Sequence, residues 1–143
     1  MTNVKQLMDE HDMLDRMAVE LLASVRAGQS AAQIVYLRAR LSSLLGTHLA
    51  AEDRAIYPRL AQSACPEAVS CGRDFTHELA VLSVDWEAYL REWSEDSIAA
   101  DFSHFAAETE DMMTRLRERI EFEQRCLLPL AVREGALPLR AAA

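Results

Sequence analysis

Two stretches of the chain share one carboxylate position, and the first of them adds an imidazole one helical turn earlier. His48 and Glu52 are four residues apart, and the second stretch matches them with Arg119 and Glu123. Side chains four residues apart lie on the same face of a helix, one above the other. Matching carboxylates on two helices, with imidazoles nearby, therefore predict a metal site inside a helical bundle. In the second stretch, Arg119 holds the position that corresponds to His48, and an arginine does not suit such a site.

Histidines elsewhere in the chain fall where an antiparallel bundle would bring them to the same end. His11 lies near the start of the first predicted helix and His77 in the first half of the third, while the two glutamates lie near the ends of the second and fourth. In such a bundle the starts of odd-numbered helices meet the ends of even-numbered helices. His104 precedes Glu123 by roughly 28 Å of helix at about 1.5 Å per residue, so it belongs to the opposite end. The five candidate ligands are His11, His48, Glu52, His77 and Glu123.

The cost of burial supports a cation at this position. Most of the candidates replace aliphatic residues within apolar helical stripes, where an ionised carboxylate is costly to desolvate without a partner. Two facing carboxylates would repel each other, so that one would stay protonated, and a bound cation removes this problem. Imidazole nitrogens and carboxylate oxygens suit iron, manganese or zinc, and a bridging pair of carboxylates favours two ions. Taken alone, each residue also has a structural interpretation, as a hydrogen-bonded core histidine or as part of a surface ion pair.

The composition favours a single helical domain and argues against polyanions as partners. The chain has 143 residues, half of them hydrophobic, with only four glycines and four prolines to interrupt helices. Its net charge of −8 is unsuited to nucleic acid or anionic lipid, which both need a basic face. The N-terminal residues resemble no export signal, and no apolar run approaches the ~20 residues that cross a bilayer. Three cysteines, an odd number, suggest reduced thiols, so we expect a cytoplasmic protein with neither nucleic-acid nor membrane partners.

Apolar residues at three- and four-residue steps predict four helices and no strands. The predicted ranges are 2–27, 30–58, 66–93 and, for the fourth helix, 97 or 101 to about 128. Gly28 is a stop signal, Ser30 with Gln33 forms a capping box, and Pro58 and Pro129 are expected to end or kink the helices that they follow. Short connections favour an all-α, up-down-up-down antiparallel four-helix bundle over residues 1–135, with a short flexible tail at 136–143.

Over about residues 4–132 the chain resembles the hemerythrin-like cation-binding domain family. The matching segments are Leu7 to His11, His48 through Glu52 to Pro58, Thr76 to Glu78, and Glu123 to Pro129. The resemblance implies a four-helix bundle that holds a non-haem di-iron centre with two bridging carboxylates. Carried over to this chain, the terminal ligands would be His11, His48 and His77, and the bridging ligands would be Glu52 and Glu123.

The family's motif on the fourth helix begins with a histidine, and this chain has Arg119 there. Arginine is always cationic and has no lone pair to offer, so one ion loses a protein ligand. Three consequences stay open: an open coordination position for an exogenous ligand, a weakened second site with one ion per chain, or a metal-free bundle in which Arg119 replaces the metal charge. Outside the coordination sphere, Arg119 could orient an anionic ligand. Asp74, close before His77, could supply a substitute oxygen ligand.

These features together predict a cytoplasmic iron protein, with two iron ions expected and one iron or another transition metal as the alternative. It would bind or process dioxygen, peroxide or nitric oxide at the carboxylate–histidine site. A module that senses iron or oxygen without turnover is the rival hypothesis, alongside the metal-free bundle. If the protein is an enzyme, it is expected to be an oxidoreductase acting on peroxide or dioxygen. The sequence leaves open its oligomeric state and the roles of Cys65, Cys71 and Cys126.

Overall fold

The chain folds into helices, and the computed structural model that shows this describes residues 1–141. No strand occurs within this range, which confirms the predicted all-α class. Among the same residues, none of the helices combines the length and the apolarity needed to cross a membrane. In chain order the helices are α1 (Val4–Arg26), α2 (Ala31–Ala55), α3 (Tyr57–Ala61), α4 (Pro66–Glu92), α5 (Glu95–Ala100), α6 (Phe102–Phe122) and α7 (Leu128–Arg133), and a π-helical segment (Glu123–Leu127) joins α6 to α7.

Side-chain caps begin the first two long helices. The Asn3 side chain accepts a hydrogen bond from the Gln6 amide at 2.9 Å, and Ser30 Oγ accepts one from the Gln33 amide at 3.2 Å. These caps satisfy donors that the first helical turn leaves free. Between α1 and α2, Gly28 has a φ of 66°, a left-handed conformation that favours glycine and ends α1.

The two prolines expected to end helices lie within the first turn of the short helices that follow. α2 ends at Ala55, and Pro58 is near the start of α3. The predicted end of the fourth helix at Pro129 is wrong, because α7 carries the helix on beyond it. A proline near the start of a separate helix, such as Pro58, loses no hydrogen bond, since the first amides have no intrahelical acceptor. In the π segment, the Leu128 amide donates to the carbonyl of Glu123, five residues earlier.

Contacts between the long helices run in opposite chain directions. Between α1 and α6, Asp15 pairs with Arg117 and Arg26 pairs with Glu110. The same order holds between α4 and α6, whose hydrogen-bonded pairs are Tyr89 with Thr109 and Asp85 with Arg115. These helix pairs are antiparallel, and the complete up-down-up-down order of a four-helix bundle stays a prediction.

The apolar core has two clusters, and a polar layer lies between them. On α1, Leu7 belongs to one cluster and Leu14 to the other, with His11 between them in the sequence. His48 on α2 and Glu123, the first residue of the π segment, hold the same position between residues of the two clusters. The fold thus brings polar residues from three helices to one level inside an otherwise apolar interior.

The chain after α7 returns to the start of α1. The Val4 and Lys5 amides donate to the carbonyls of Pro138 and Leu139 at 2.9 and 3.0 Å, and the Leu137 side chain is buried. These bonds satisfy amides that the first turn of α1 would otherwise leave free. The domain boundary at residue 135 stays a prediction, and positions 142–143 of the expected tail lie outside the described residues.

Candidate metal centre

Four of the five predicted ligands meet in one buried cluster. His11, His48, Glu52 and Glu123 each offer a ligand atom, and these atoms all lie within 4.8 Å of one another. The four residues are at most 1% exposed. Two of them come from α2, one from α1 and one from the first position of the π segment. The cluster therefore joins three parts of the chain at the polar layer.

His48 lies at the middle of the cluster. Its Nε2 atom is 3.0 Å from Nε2 of His11, 3.0 Å from Oε1 of Glu52 and 4.0 Å from Oε1 of Glu123. His48 and Glu52 share a face because they are one turn apart on α2. Two ligand atoms of one ion, each bound at about 2.1 Å, are at most roughly 4.2 Å apart, so small side-chain shifts suffice to surround an ion.

The second ring nitrogens of both histidines have partners that the sequence analysis missed. His48 Nδ1 lies 2.8 Å from Oε2 of Glu10, and His11 Nδ1 lies 3.2 Å from Nε2 of Gln124. A carboxylate on Nδ1 holds the ring proton there and directs the Nε2 lone pair inward, as it does for ligating histidines. Against His11 the structure places the amide nitrogen of Gln124, a donor, and a half-turn of the amide group would bring its oxygen there to accept the Nδ1 proton. Both residues are sequence neighbours of predicted ligands, which is the one signal that could have pointed to them.

The carboxylates of the cluster lack the partners that buried carboxylates need. Both side-chain oxygens of Glu52 and Oε1 of Glu123 are buried without a hydrogen bond. Burial raises the pKa of Glu52. Burial, together with the neighbouring Glu52, raises the pKa of Glu123 well above its usual value. A cation between the two groups would supply the missing opposite charge.

The imidazole of His11 is held in its neutral form. Burial, with His48 as a second cause, lowers the pKa of His11 to about 3. The two rings are tilted by 60°, with their centroids 4.6 Å apart. At neutral pH the His11 ring therefore keeps a nitrogen lone pair, which a metal ligand requires.

Arg119 lies beside the cluster, with only 8% of its side chain exposed. Its Nη2 donates to the Tyr57 hydroxyl at 2.9 Å, and its guanidinium carbon is 4.9 Å from the centre of the Phe75 ring. Nε is 3.5 Å from Oε2 of Glu123, which makes an ion pair, yet Nε and Nη1 have no hydrogen-bond acceptor. The position of Arg119 near the carboxylates was predicted from the sequence, whereas its hydrogen bond to Tyr57 was not.

His77 is not part of the cluster, and its predicted role as a ligand finds no support in this arrangement. Its side chain is exposed on α4, whereas Phe75 and Leu79 are buried. Two positions along a helix turn the side chain by roughly 200°, so His77 faces away from the interior that its two neighbours face. Asp74, the substitute ligand considered above, is also exposed.

The donor set fits a transition-metal ion. Two imidazoles and two carboxylates are ligands that iron, manganese and zinc bind in proteins. The carboxylate oxygens without partners are the observation that makes the fit specific to this cluster. The fold and the cluster therefore define an all-helical protein with a buried His/Glu group that could bind a metal ion.

A comparison with models of known protein families identifies the family of this all-helical protein. The model of the hemerythrin HHE cation binding domain matches residues 2–131, and the chain belongs to this family. The family implies a metal, typically iron. The match also confirms the resemblance found in the sequence. Comparison with curated proteins and with solved structures gave no match.

Proposed function

We propose that the chain binds one iron ion through His11, His48, Glu52 and Glu123, and that this iron takes up dioxygen, peroxide or nitric oxide. The observation that carries the proposal is the set of three buried carboxylate oxygens without a hydrogen bond, on Glu52 and Glu123, beside two imidazole nitrogens. Each such group destabilises a metal-free fold by roughly 1–3 kcal/mol, and coordination to a cation removes that cost.

The arrangement favours one ion over the two that the resemblance suggested. The four ligand atoms are close enough together to surround a single ion. Beyond Glu123, a second ion would meet the Arg119 guanidinium, whose positive charge lies 3.5 Å from that carboxylate and repels a cation. With His77 exposed, α4 offers no buried imidazole for a second ion.

Small oxidants and nitric oxide suit such a centre because four protein ligands leave coordination positions of iron free. The residues around the ligands fix their orientation. Glu10 holds the proton on Nδ1 of His48, so that Nε2 of this ring is available to the ion. The apolar clusters on both sides of the polar layer limit the access of water.

A metal-free bundle is the second candidate, and the ion pair between Arg119 and Glu123 is the observation in its favour. One guanidinium offsets one carboxylate charge, so the second carboxyl group of the pair stays protonated. No hydrogen bond joins Arg119 to Glu123, and both carboxylate oxygens of Glu52 are left without a hydrogen bond. The metal-free arrangement therefore leaves buried carboxyl oxygens without hydrogen bonds, which costs stability.

Metal analysis of the protein, purified from cells grown with iron, tests the proposal. We expect about one iron per chain, and loss of most of it in Glu52→Gln, because the neutral amide is a much weaker ligand. His104→Ala is the matched control, since His104 lies against Trp93, away from the cluster. It should keep the wild-type iron content.

Two results would contradict the one-ion proposal. Two ions per chain, one of which is lost in His77→Ala, would support the di-iron centre that the family resemblance suggested. Protein that binds neither iron nor another transition metal would support the metal-free bundle instead.

A separate measurement distinguishes an enzyme from a binding module. Continuous consumption of added hydrogen peroxide by the iron-loaded protein, lost in Glu52→Gln, indicates turnover. Binding of one nitric oxide per iron without consumption of peroxide indicates a binding or sensing role.

A further inference from the structure

An elongated apolar cavity of about 280 Å³ lies between α2, α4 and α6 and reaches the candidate metal centre. α1 packs closely against α2 and α6, whereas α4 makes its close backbone contacts with α3 and the π segment. The space is therefore left where α4 stands away from its other neighbours. On α4 the lining runs from Leu79 to Leu90, roughly 16 Å of helix at about 1.5 Å per residue.

The walls of this cavity are apolar along most of its length. Leucines line it on α2 and α4, and Trp86 lies among them. The polar lining at its inner end consists of His48, Arg119 and Glu123. A water molecule takes up about 30 Å³, and pockets for small organic ligands begin at about 300 Å³. The cavity is thus much larger than a diatomic ligand needs and approaches the size that suits an organic molecule.

Arg119 brings unused hydrogen-bond donors to the inner end. Its side chain is 8% exposed, and its Nε and Nη1 atoms are buried without an acceptor. The third nitrogen is held by Tyr57, and the guanidinium stacks on Phe75, so its orientation is fixed. A buried guanidinium with donors that lack acceptors is complementary to a carboxylate, which accepts charge-assisted hydrogen bonds from it.

Two carboxylates of the chain lie near Arg119, but neither uses these donors. Glu123 is 3.5 Å from Nε, and the exposed Glu78 is 3.7 Å from Nη1, both without a hydrogen bond. At the outer end of the cavity the exposed Glu87 would repel an anionic group. At the inner end the Arg119 guanidinium attracts an anionic head and Glu123 opposes it, whereas at the outer end Glu87 acts without a cation from the lining to offset it.

We propose that this cavity binds an aliphatic monocarboxylate of medium chain length, with its carboxylate accepting a hydrogen bond from the Arg119 guanidinium and its tail along Trp86 and Leu90. The proposal goes beyond the iron site and does not depend on it, because the cavity and Arg119 belong to the chain itself. With iron bound, the carboxylate would lie next to the ion.

The first experiment measures the binding of octanoate by calorimetry, in iron-loaded and in chelator-treated protein. Hexanoate and decanoate form the length series, and 1-octanol has the same tail without the charge. We expect octanoate to bind at least tenfold more tightly than octanol, because a hydrogen bond to a charged group is lost in the alcohol. Each added methylene should tighten binding roughly three- to fourfold until the cavity is filled.

Three variants localise the bound molecule. Arg119→Gln should weaken octanoate binding roughly tenfold or more and leave octanol binding unchanged, which shows that the cavity is intact. Arg115→Gln is the matched control, because Arg115 pairs with Asp85 and does not line the cavity. Gly46→Leu should weaken both ligands, since Gly46 lines the cavity and has open space around an added Cβ.

Several results would overturn this inference. Two results would show that the Arg119 guanidinium does not bind the carboxylate. One is octanol binding as tight as octanoate binding, and the other is octanoate binding that is unchanged in Arg119→Gln. Octanoate binding that requires iron and survives Arg119→Gln would place the carboxylate on the metal instead. Absence of saturable binding by every member of the series would remove the site altogether. Iron content is measured on the same samples, so failure of the iron proposal is recorded separately.

Discussion

Glu52 is fully buried in the polar layer, and neither of its carboxylate oxygens has a hydrogen-bond partner. Such a residue lowers the stability of the metal-free fold, because an ionised carboxylate loses its hydration there. Natural proteins keep destabilising residues where function requires them. The same residue should therefore have opposite effects on stability with and without a bound ion.

Glu52→Gln is predicted to stabilise the metal-free protein at pH 8 by about 1–2 kcal/mol. The pKa of Glu52 is raised in the fold, so the unfolded chain ionises first and stability falls as the pH rises through the folded pKa. The neutral amide of the variant does not ionise, so the variant avoids this loss of stability. Its stabilisation relative to the wild type should therefore shrink near pH 4, where the carboxyl group is protonated in both states. Urea unfolding in the presence of a chelator measures it.

With iron present, the sign of the Glu52→Gln effect should reverse, because the variant loses the stabilisation that a bound ion gives by mass action. Glu20→Gln, an exposed glutamate on α1, should change stability little under either condition. A variant that is equally destabilised with and without metal would point to a purely structural role for Glu52.

Metal binding is predicted to release protons near neutral pH. The raised pKa values of Glu52 and Glu123 keep a proton on this pair in the metal-free protein, and the ion must displace it. Titration calorimetry in two buffers with different ionisation enthalpies measures the release, and metal affinity should fall as the pH is lowered. A binding enthalpy independent of the buffer would show that the pair is already ionised.

At the scale of elements, the π segment connects the metal centre to the end of the chain. It begins at Glu123, and both Glu123 and Leu127 are buried within it. Hydrogen bonds that span five residues accommodate one more residue per turn than an α-helix. Leu128 and Ala131 of α7 are buried beyond it. The segment thus changes the register between the inward faces of α6 and α7.

Two glycines in long helices are predicted to respond in opposite ways to alanine. At Gly72 on α4 an added Cβ would lie 2.9 Å from Cβ of Leu60 on α3, so Gly72→Ala should destabilise the fold by about 1–3 kcal/mol. At Gly46 on α2 an added Cβ meets nothing within 4 Å, and Gly46→Ala should stabilise the fold by about 1 kcal/mol through helix propensity.

Thermal unfolding of the two glycine variants at one protein concentration measures both changes. Shifts of the same sign would mean that α3 can move away from α4 without cost, so that the close approach at Gly72 is not a tight contact.

Across the whole molecule, the polar layer separates two apolar clusters. A bound ion would be coordinated by residues of α1, α2 and the π segment, so it should stabilise these segments relative to one another. We predict that iron slows amide hydrogen exchange mainly in the first half of α1, the second half of α2 and the π segment, which carry the ligands. Exchange in α5 should change little. Uniform slowing over all helices would indicate only global stabilisation, and the comparison is made by mass spectrometry with and without chelator.

The sequence by itself determined the helical class and most of the candidate ligands. Sparse glycine and proline with three- and four-residue apolar steps predicted helices, and helices cover most of the chain between Val4 and Arg133. His48 and Glu52 could be paired because one turn of α2 sets their relation, whatever the rest of the fold does. His11 and Glu123 could be found because each interrupts an apolar stripe.

The tertiary structure determined the features that periodicity within one helix cannot predict: the rotation of each helix about its axis and the contacts between helices. The rotation of α4 about its own axis depends on how all of its apolar residues pack, and burial of Phe75 and Leu79 turns His77 to the surface. The bond of Glu10 to His48 and that of Arg119 to Tyr57 join residues far apart in sequence, so only packing brings them together. Periodicity fixes directions around one helix axis, whereas the axes themselves are set by the sum of contacts between helices.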